Sequence, residues 1–104
     1  MQITEERKEH SVVLLISGRI DVATSETLEA EISKWLANPV VKKLILDFSA
    51  VEYISSSGIR VLLSAQKQMR EKHEMVIKNP SQFCRQVFEV TGADIFLKIE
   101  YPTA

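Results

Sequence analysis

Residues 53–58 read Tyr-Ile-Ser-Ser-Ser-Gly, between the apolar stretch "LILDFSAVE" and the run "IRVLLSAQKQMREK". A hydroxyl at the mouth of a helix has two chemical uses. It can cap, accepting a hydrogen bond from one of the unpaired N–H groups of the first turn. It can also accept a phosphoryl group, because those same N–H groups and the positive end of the helix dipole stabilise a bound anion. On the residues alone, both readings of Ser55, Ser56 and Ser57 stand. Ser55 and Ser56 cap the helix while Gly58 eases the turn, or one of the three hydroxyls is an acceptor. Asp21, in "SGRID", is a second candidate: a carboxylate there can orient a hydroxyl, hold a partner's cation, or serve the turn into a helix. Asp47 and Ser49, in "LDFS", end a strand, where a carboxylate satisfies loop amides.

Other chemistry lacks its residues. His10 and His73 are the only histidines. Neither sits in a G-x-S-x-G elbow context or in a helical His pair, so a hydrolase reading has no motif and no enzyme is expected. No spacing suits zinc or calcium, and no phosphate-binding or dinucleotide glycine pattern is present, so no metal or other cofactor is expected. Cys84 lies beside Phe83 in an amphipathic stretch and reads as a packed thiol. Trp35 reads as an anchor between helix and sheet.

The totals fit a single soluble domain. A chain of 104 residues fits one domain, residues 1–104, and 45% hydrophobic content supplies one modest core. With 13 basic against 14 acidic residues there is no electrostatic case for direct nucleic-acid contact or for an anionic membrane. The longest apolar run, Val12 to Ile16, is too short to insert into a bilayer, the charged "MQITEERKEH" shows no cleavable signal, and a lone cysteine asks for no oxidising compartment. A cytoplasmic location is the expectation.

The elements that must position these residues follow from periodicity. "QITEERK" reads as a polar edge strand, able to pair antiparallel through "KEH" with Ser11–Ser17. Ser11–Ser17 is a continuous apolar run closed by Gly18 and reads as a strand buried on both faces. "TSETLEAEISKWLANP" places Leu28, Ile32, Trp35 and Leu36 at helical spacing, with Thr24 or Ser25 as cap and Pro39 beyond its end. Lys43–Ser49 is a second buried strand. From Ser57 to Lys72 an amphipathic helix carries Ile59, Leu62, Leu63 and Met69 on one face, and Arg60, Lys67 and Arg70 elsewhere. "EMVIKN" is a strand, "SQFCRQVFEVTG" a helix with Phe83, Val87 and Val90 at helical spacing and Gly92 at its end, and "IFLKIEY" the last strand. The order β-β-α-β-α-β-α-β implies an α/β domain with a mixed, mostly parallel sheet. In such a sheet, function gathers where strands end and helices begin, and "SGRIDVATS" and "YISSSG" are two such loops, side by side if their strands pair.

These residues resemble the STAS domain family, in particular small stand-alone anti-sigma factor antagonists of bacteria. "SGRID" resembles the family's Gly-x-Leu/Ile-Asp after the second strand. "LILDFSAVEYISSSGIRVLL" resembles its strand-to-helix segment, and "NPSQFCRQVFEVTGADIFLKI" its final helix and strand. The resemblance implies a transcription-regulating switch in processes such as stress response. The unphosphorylated antagonist binds an anti-sigma factor that is also a serine kinase, the kinase phosphorylates the serine opening the helix and lets go, and a serine phosphatase resets it. Position by position, the phosphorylated serine falls on Ser56, with Ser55 and Ser57 as rival acceptors. Ser57 and Gly58 match the rest of the motif, and Asp21 matches the rim aspartate. Asp21, Ser55, Ser57 and Gly58 are the implied partner contacts, within a docking surface formed by residues 18–24, 53–58 and the exposed face of the following helix. Ser55 stands where family members usually carry Asp, and the chain ends at Ala104 where many continue into another helix. The other role open to the family is that of a non-switching scaffold or accessory subunit of a larger signalling or transporter complex.

Overall fold

The computed structural model describes residues 1–69 and 73–102. β1 (Gln2–Lys8) turns through Glu9 and His10 into β2 (Ser11–Ile20), and the two pair antiparallel. After α1 (Val22–Leu36), β3 (Lys43–Ile54) joins β2 in parallel; after α2 (Ser56–Gln68), β4 (Glu74–Lys78) joins β3. α3 (Gln82–Thr91) and a 3₁₀ turn (Ala93–Ile95) lead to β5 (Ile99–Glu100), parallel to β4. Among the described residues the five strands lie in chain order, β1-β2-β3-β4-β5, in the mixed and mostly parallel sheet expected.

One face of the sheet forms the core. Val12, Leu14 and Ile16 of β2 and Leu44, Leu46 and Phe48 of β3 pack with Leu28, Ile32 and Trp35 of α1, Ile59 and Leu62 of α2, and Cys84 and Phe88 of α3. Trp35 is the anchor its sequence context suggests, with its Nε1 donating to Glu31 at 3.3 Å. The expectation that β2 is buried on both faces is corrected: its burial alternates, and Val13 and Leu15 are only half covered. A continuous apolar run hides this period because the second face is not polar either. That face is instead tiled by long side chains: Glu74 is bound by Lys43 and Lys98, and Lys78 lies 3.7 Å from Glu100. The apolar stems of such residues cover neighbouring surface while their charged heads stay wet.

Both central strands run further than expected. β2 does not stop at Gly18 but passes through it at φ +95°, a conformation that suits glycine, beside one of two irregularities in the β2–β3 ladder. β3 continues past Ser49 to Ile54 through the same irregularities, so Tyr53 and Ile54 belong to the strand and not to a loop. The last strand is shorter than "IFLKIEY", because Ala93–Ile95 forms a 3₁₀ turn. α3 ends at Gly92, with φ +75°, as expected, but of the apolar face assigned to it only Val87 packs against the core. Cys84 and Phe88 are its buried residues, whereas Phe83 and Val90 face solvent. The described part of α2 ends at Gln68; Arg70 and the rest of the expected span to Lys72 lie outside the described residues.

Candidate phosphoryl-acceptor site

The extra length of β2 and β3 builds the site. Their register runs on to Ile20 opposite Ile54, and the Ser55 amide donates to the Ile20 carbonyl at 2.8 Å. The loops carrying Asp21 and Ser55 therefore sit side by side at the C-terminal ends of two neighbouring parallel strands. This is the position where open α/β sheets present ligand-binding groups.

The three serines divide the work. Ser55 is the N-cap of α2: its backbone is extended, and its hydroxyl accepts from the Gly58 amide at 3.3 Å. Ser56 is the first helical residue and is exposed; among the described residues no hydrogen bond engages its hydroxyl. Ser57 is half-buried in the same first turn. Both follow the cap at the helix end where amides lack intrahelical acceptors, and α2 has no acidic residue in that turn. A phosphate on Ser56 would thus enter a region of positive partial charge with no carboxylate of the same helix opposing it.

Gly58 does not serve turn chemistry. Its φ is not positive, and a Cβ built there would lie 2.7 Å from both Ile20 Cγ2 and Ile54 Cγ1. The glycine lets the helix mouth press directly onto the strand ends, which fixes Ser56 relative to Asp21. It is buried, so its contribution to a partner surface is positional.

Asp21 is the N-cap of α1, a role that sequence reading gave to Thr24 or Ser25. Its Oδ1 accepts from the Thr24 amide at 3.0 Å, and Thr24 Oγ1 accepts from the Asp21 amide at 2.9 Å, a reciprocal capping box. The hydrogen bond from the Thr24 amide, with further help from the Thr24 hydroxyl, the Ala23 amide and the Arg19 charge, holds the Asp21 carboxyl below its ordinary value. It is therefore an anion at neutral pH, on the rim next to the acceptor loop. The D-x-x-T spacing in "DVAT" was the available signal. Ser25, by contrast, is buried, with its hydroxyl donating to the Val22 carbonyl at 3.1 Å.

One feature of the rim had no sequence signal. The Arg19 guanidinium stands 4.2 Å above the Tyr53 ring, and Tyr53 lies 5.5 Å from Phe83, so three residues distant in sequence form one tier beside the loops. Asp47 lies within β3 and not at its end, and its carboxylate accepts from the Ser49 amide at 2.9 Å where the β2–β3 register shifts. The histidines are at the other pole: His10 Nδ1 lies 3.3 Å from the Val40 carbonyl at the start of the parallel strands, and His73 precedes β4. β2 alone separates His10 from the acceptor rim by roughly 30 Å, so no Ser–His pair forms there. Cys84 is buried, its Sγ–H donating to the Val51 carbonyl at 3.8 Å, and burial pushes its thiol up.

Sequence and structure comparisons converge on one family. The STAS domain model matches residues 2–103, and the chain belongs to that family. It is 32% identical to a protein of Bordetella bronchiseptica assigned as the anti-sigma factor antagonist BtrV, over all of this chain and 86% of the relative. It is 30% identical to the anti-sigma-F factor antagonist RsfB of Mycobacterium tuberculosis, over 79% of this chain and 66% of that protein. Its fold matches the crystal structure of an anti-sigma factor antagonist from Mycobacterium paratuberculosis with a TM-score of 0.87 at 26% identity, covering 98% of this chain and 86% of the other. No helix among the described residues is long and apolar enough to cross a membrane.

Proposed function

We propose that this chain is an anti-sigma factor antagonist working as a phosphorylation switch: unmodified, it binds an anti-sigma factor serine kinase, and phosphate on Ser56 ends that binding until a serine phosphatase removes it. The observation that carries the reading is the division of labour at the helix mouth. Ser55 meets the cap, which leaves Ser56 exposed and unengaged at a helix N-terminus. The names of its relatives BtrV and RsfB support the antagonist role. Ser55 in place of the family's usual Asp fits the same arrangement, since Ser and Asp are comparable N-caps. The substitution keeps the cap and removes only a charge beside the acceptor.

Release follows from charge. Phosphate adds nearly two negative charges at Ser56, which the helix mouth favours by about 0.3–1 kcal/mol, so the fold persists. To be modified, the hydroxyl must approach the partner's nucleotide phosphates, so the product sets like charges close together at the interface. A loss of about 3 kcal/mol weakens the complex roughly a hundredfold. The test begins with capture of the cognate kinase and its identification by mass spectrometry. The purified kinase is then titrated with wild type, Ser56→Ala and Ser56→Asp, alongside a phosphorylation assay. Wild type and Ser56→Ala are expected to bind alike, Ser56→Asp about a hundredfold more weakly, and Ser56→Ala to take no phosphate. Equal affinity for all three, with no phosphate on wild type, leaves the non-switching scaffold or accessory-subunit role in its place.

A further inference from the structure

α2 carries a stripe that runs away from the acceptor. Ser56, Arg60, Leu63 and Lys67 recur at spacings of four, three and four residues, one side of a helix of 3.6 residues per turn. Ser56, Arg60 and Lys67 are exposed, and Leu63, expected on the apolar face, instead lies half-buried at the edge of the core between them, so this side borders solvent. The stripe ends about 16 Å along the axis from Ser56. There it meets a cavity of about 390 Å³ lined by Leu63, Gln66, Lys67 and Phe96. Phe96 is 70% exposed, and the adjacent Ile95 is 79% exposed. Large apolar side chains left in water beside a concave apolar wall mark an interaction surface. On the helix side of the cavity the charge is positive, because Ser56–Gln68 holds Arg60 and Lys67 and no carboxylate.

We propose that this stripe and cavity are the anchoring half of the kinase-docking surface, with the Leu63–Phe96 cavity receiving an apolar side chain from an acidic segment of the kinase, whose carboxylates face Arg60 and Lys67. The proposal rests on the switch reading above and adds where affinity resides. Ser56 at one end of α2 carries the chemistry, while a desolvated apolar anchor at the other end carries the binding. A large exposed aromatic beside a pocket is the kind of residue that dominates binding energy, and flanking cations steer an acidic partner and make association salt-dependent. The two functions are separated along one helix, so phosphate at Ser56 does not need to disturb the cavity in order to repel the partner.

The test titrates the purified kinase with wild type, Phe96→Ala, Lys67→Glu and Ser56→Ala, and measures the rate of Ser56 phosphorylation against kinase concentration. Because Phe96 is exposed, Phe96→Ala is expected to keep the wild-type melting temperature. It should bind the kinase about tenfold or more weakly, yet reach the wild-type phosphorylation rate at saturation. Lys67→Glu should bind several-fold more weakly at low salt, with the difference closing as salt rises. If wild type binds and Phe96→Ala binds as tightly, the anchor is refuted while the switch stands. An unchanged Lys67→Glu refutes the acidic partner segment. Failure of wild type itself to bind or accept phosphate refutes both readings. Sedimentation settles the competing occupant: a wild-type dimer that Phe96→Ala makes monomeric would assign the cavity to a second copy of this chain and overturn the proposal.

Discussion

α2 and α3 begin on the same cap. Ser55 opens one and Ser81 the other; both have extended backbone, and each hydroxyl accepts at 3.3 Å from the amide three residues on, Gly58 in one case and Cys84 in the other. The residues behind the caps differ. After Ser81 come Gln82, Phe83, which stacks on Tyr53, and the buried Cys84. After Ser55 come two further hydroxyls and a glycine pressed onto Ile20 and Ile54. One serine is therefore enough to start a helix in this fold. At α3 the exposed position after the cap holds Gln82, which carries no hydroxyl, whereas at α2 the same exposed position holds the hydroxyl of Ser56.

The sharpest way to break this comparison is to ask both helix mouths for phosphate. With the cognate kinase and ATP, Ser81→Ala should be phosphorylated to the same final extent as wild type, and Ser56→Ala not at all. Mass spectrometry of the modified peptide checks it. Phosphate on Ser55 or Ser57 in the Ser56→Ala protein would move the acceptor within the loop.

Next in size is the glycine that brings α2 close. Gly58→Ala forces a methyl group into the space of Ile20 and Ile54, and neither side chain can leave the core without exposing apolar surface. Overpacking of this kind costs about 1–3 kcal/mol, read as a lower urea midpoint at unchanged slope. The third-position residue of α3 is already buried and packed as Cys84, so Cys84→Ala should lose stability for the opposite reason, by leaving space unfilled. A Gly58→Ala protein as stable as wild type would show that the mouth can back away from the strands.

The caps themselves should be equivalent. Ser55→Ala and Ser81→Ala should each lose about 0.5–2 kcal/mol, while Ser55→Asp and Ser81→Asp should each stay within roughly 0.5 kcal/mol of wild type in denaturant titrations. Only Ser55→Asp should alter the rate of phosphorylation, because it alone adds a charge next to the acceptor. Equal rates for Ser55→Asp and wild type would show that this position tunes stability and not the reaction.

Sequence periodicity was enough for the order of elements, the mixed sheet and the adjacency of the two rim loops. What it missed has physical causes. The continuous Val12–Ile16 run concealed a sheet covered by helices on one side, because the alternating period is invisible when both faces are apolar. Strand ends were misjudged at Gly18 and Ser49, where the β2–β3 register shifts absorb residues that look like loop. Phe83 and Val90 keep helical spacing without being core, since periodicity fixes a face but not what that face meets. At the site, spacing pointed to the serines and Asp21 but could not assign hydrogen bonds among neighbours. The Arg19–Tyr53–Phe83 tier is invisible in one dimension altogether.

The smallest expected effect extends the comparison to the third cap, Asp21 of α1. A rim carboxylate and a helix cap make different predictions, and Asp21 is both. Asp21→Ala removes the cap as well as the charge, so a drop in kinase binding by that variant would be confounded by a melting temperature lower by several degrees. Asp21→Asn keeps an oxygen for the Thr24 amide and removes only the charge. The folded carboxyl titrates below its ordinary value of 3.8, so its ionised form is favoured by folding. That contribution is present in full above the unfolded pKa and is lost as pH falls through the folded one. Wild type should therefore melt slightly above Asp21→Asn at neutral pH, and the gap should close as the solution is acidified below about pH 4. A gap that persists in acid would mean that the hydrogen-bond geometry of the cap, not its charge, is what Asp21 contributes. If Asp21→Asn melts almost normally but binds the kinase more weakly, the charge belongs to the docking surface; wild-type affinity in that variant would leave Asp21 as a cap alone.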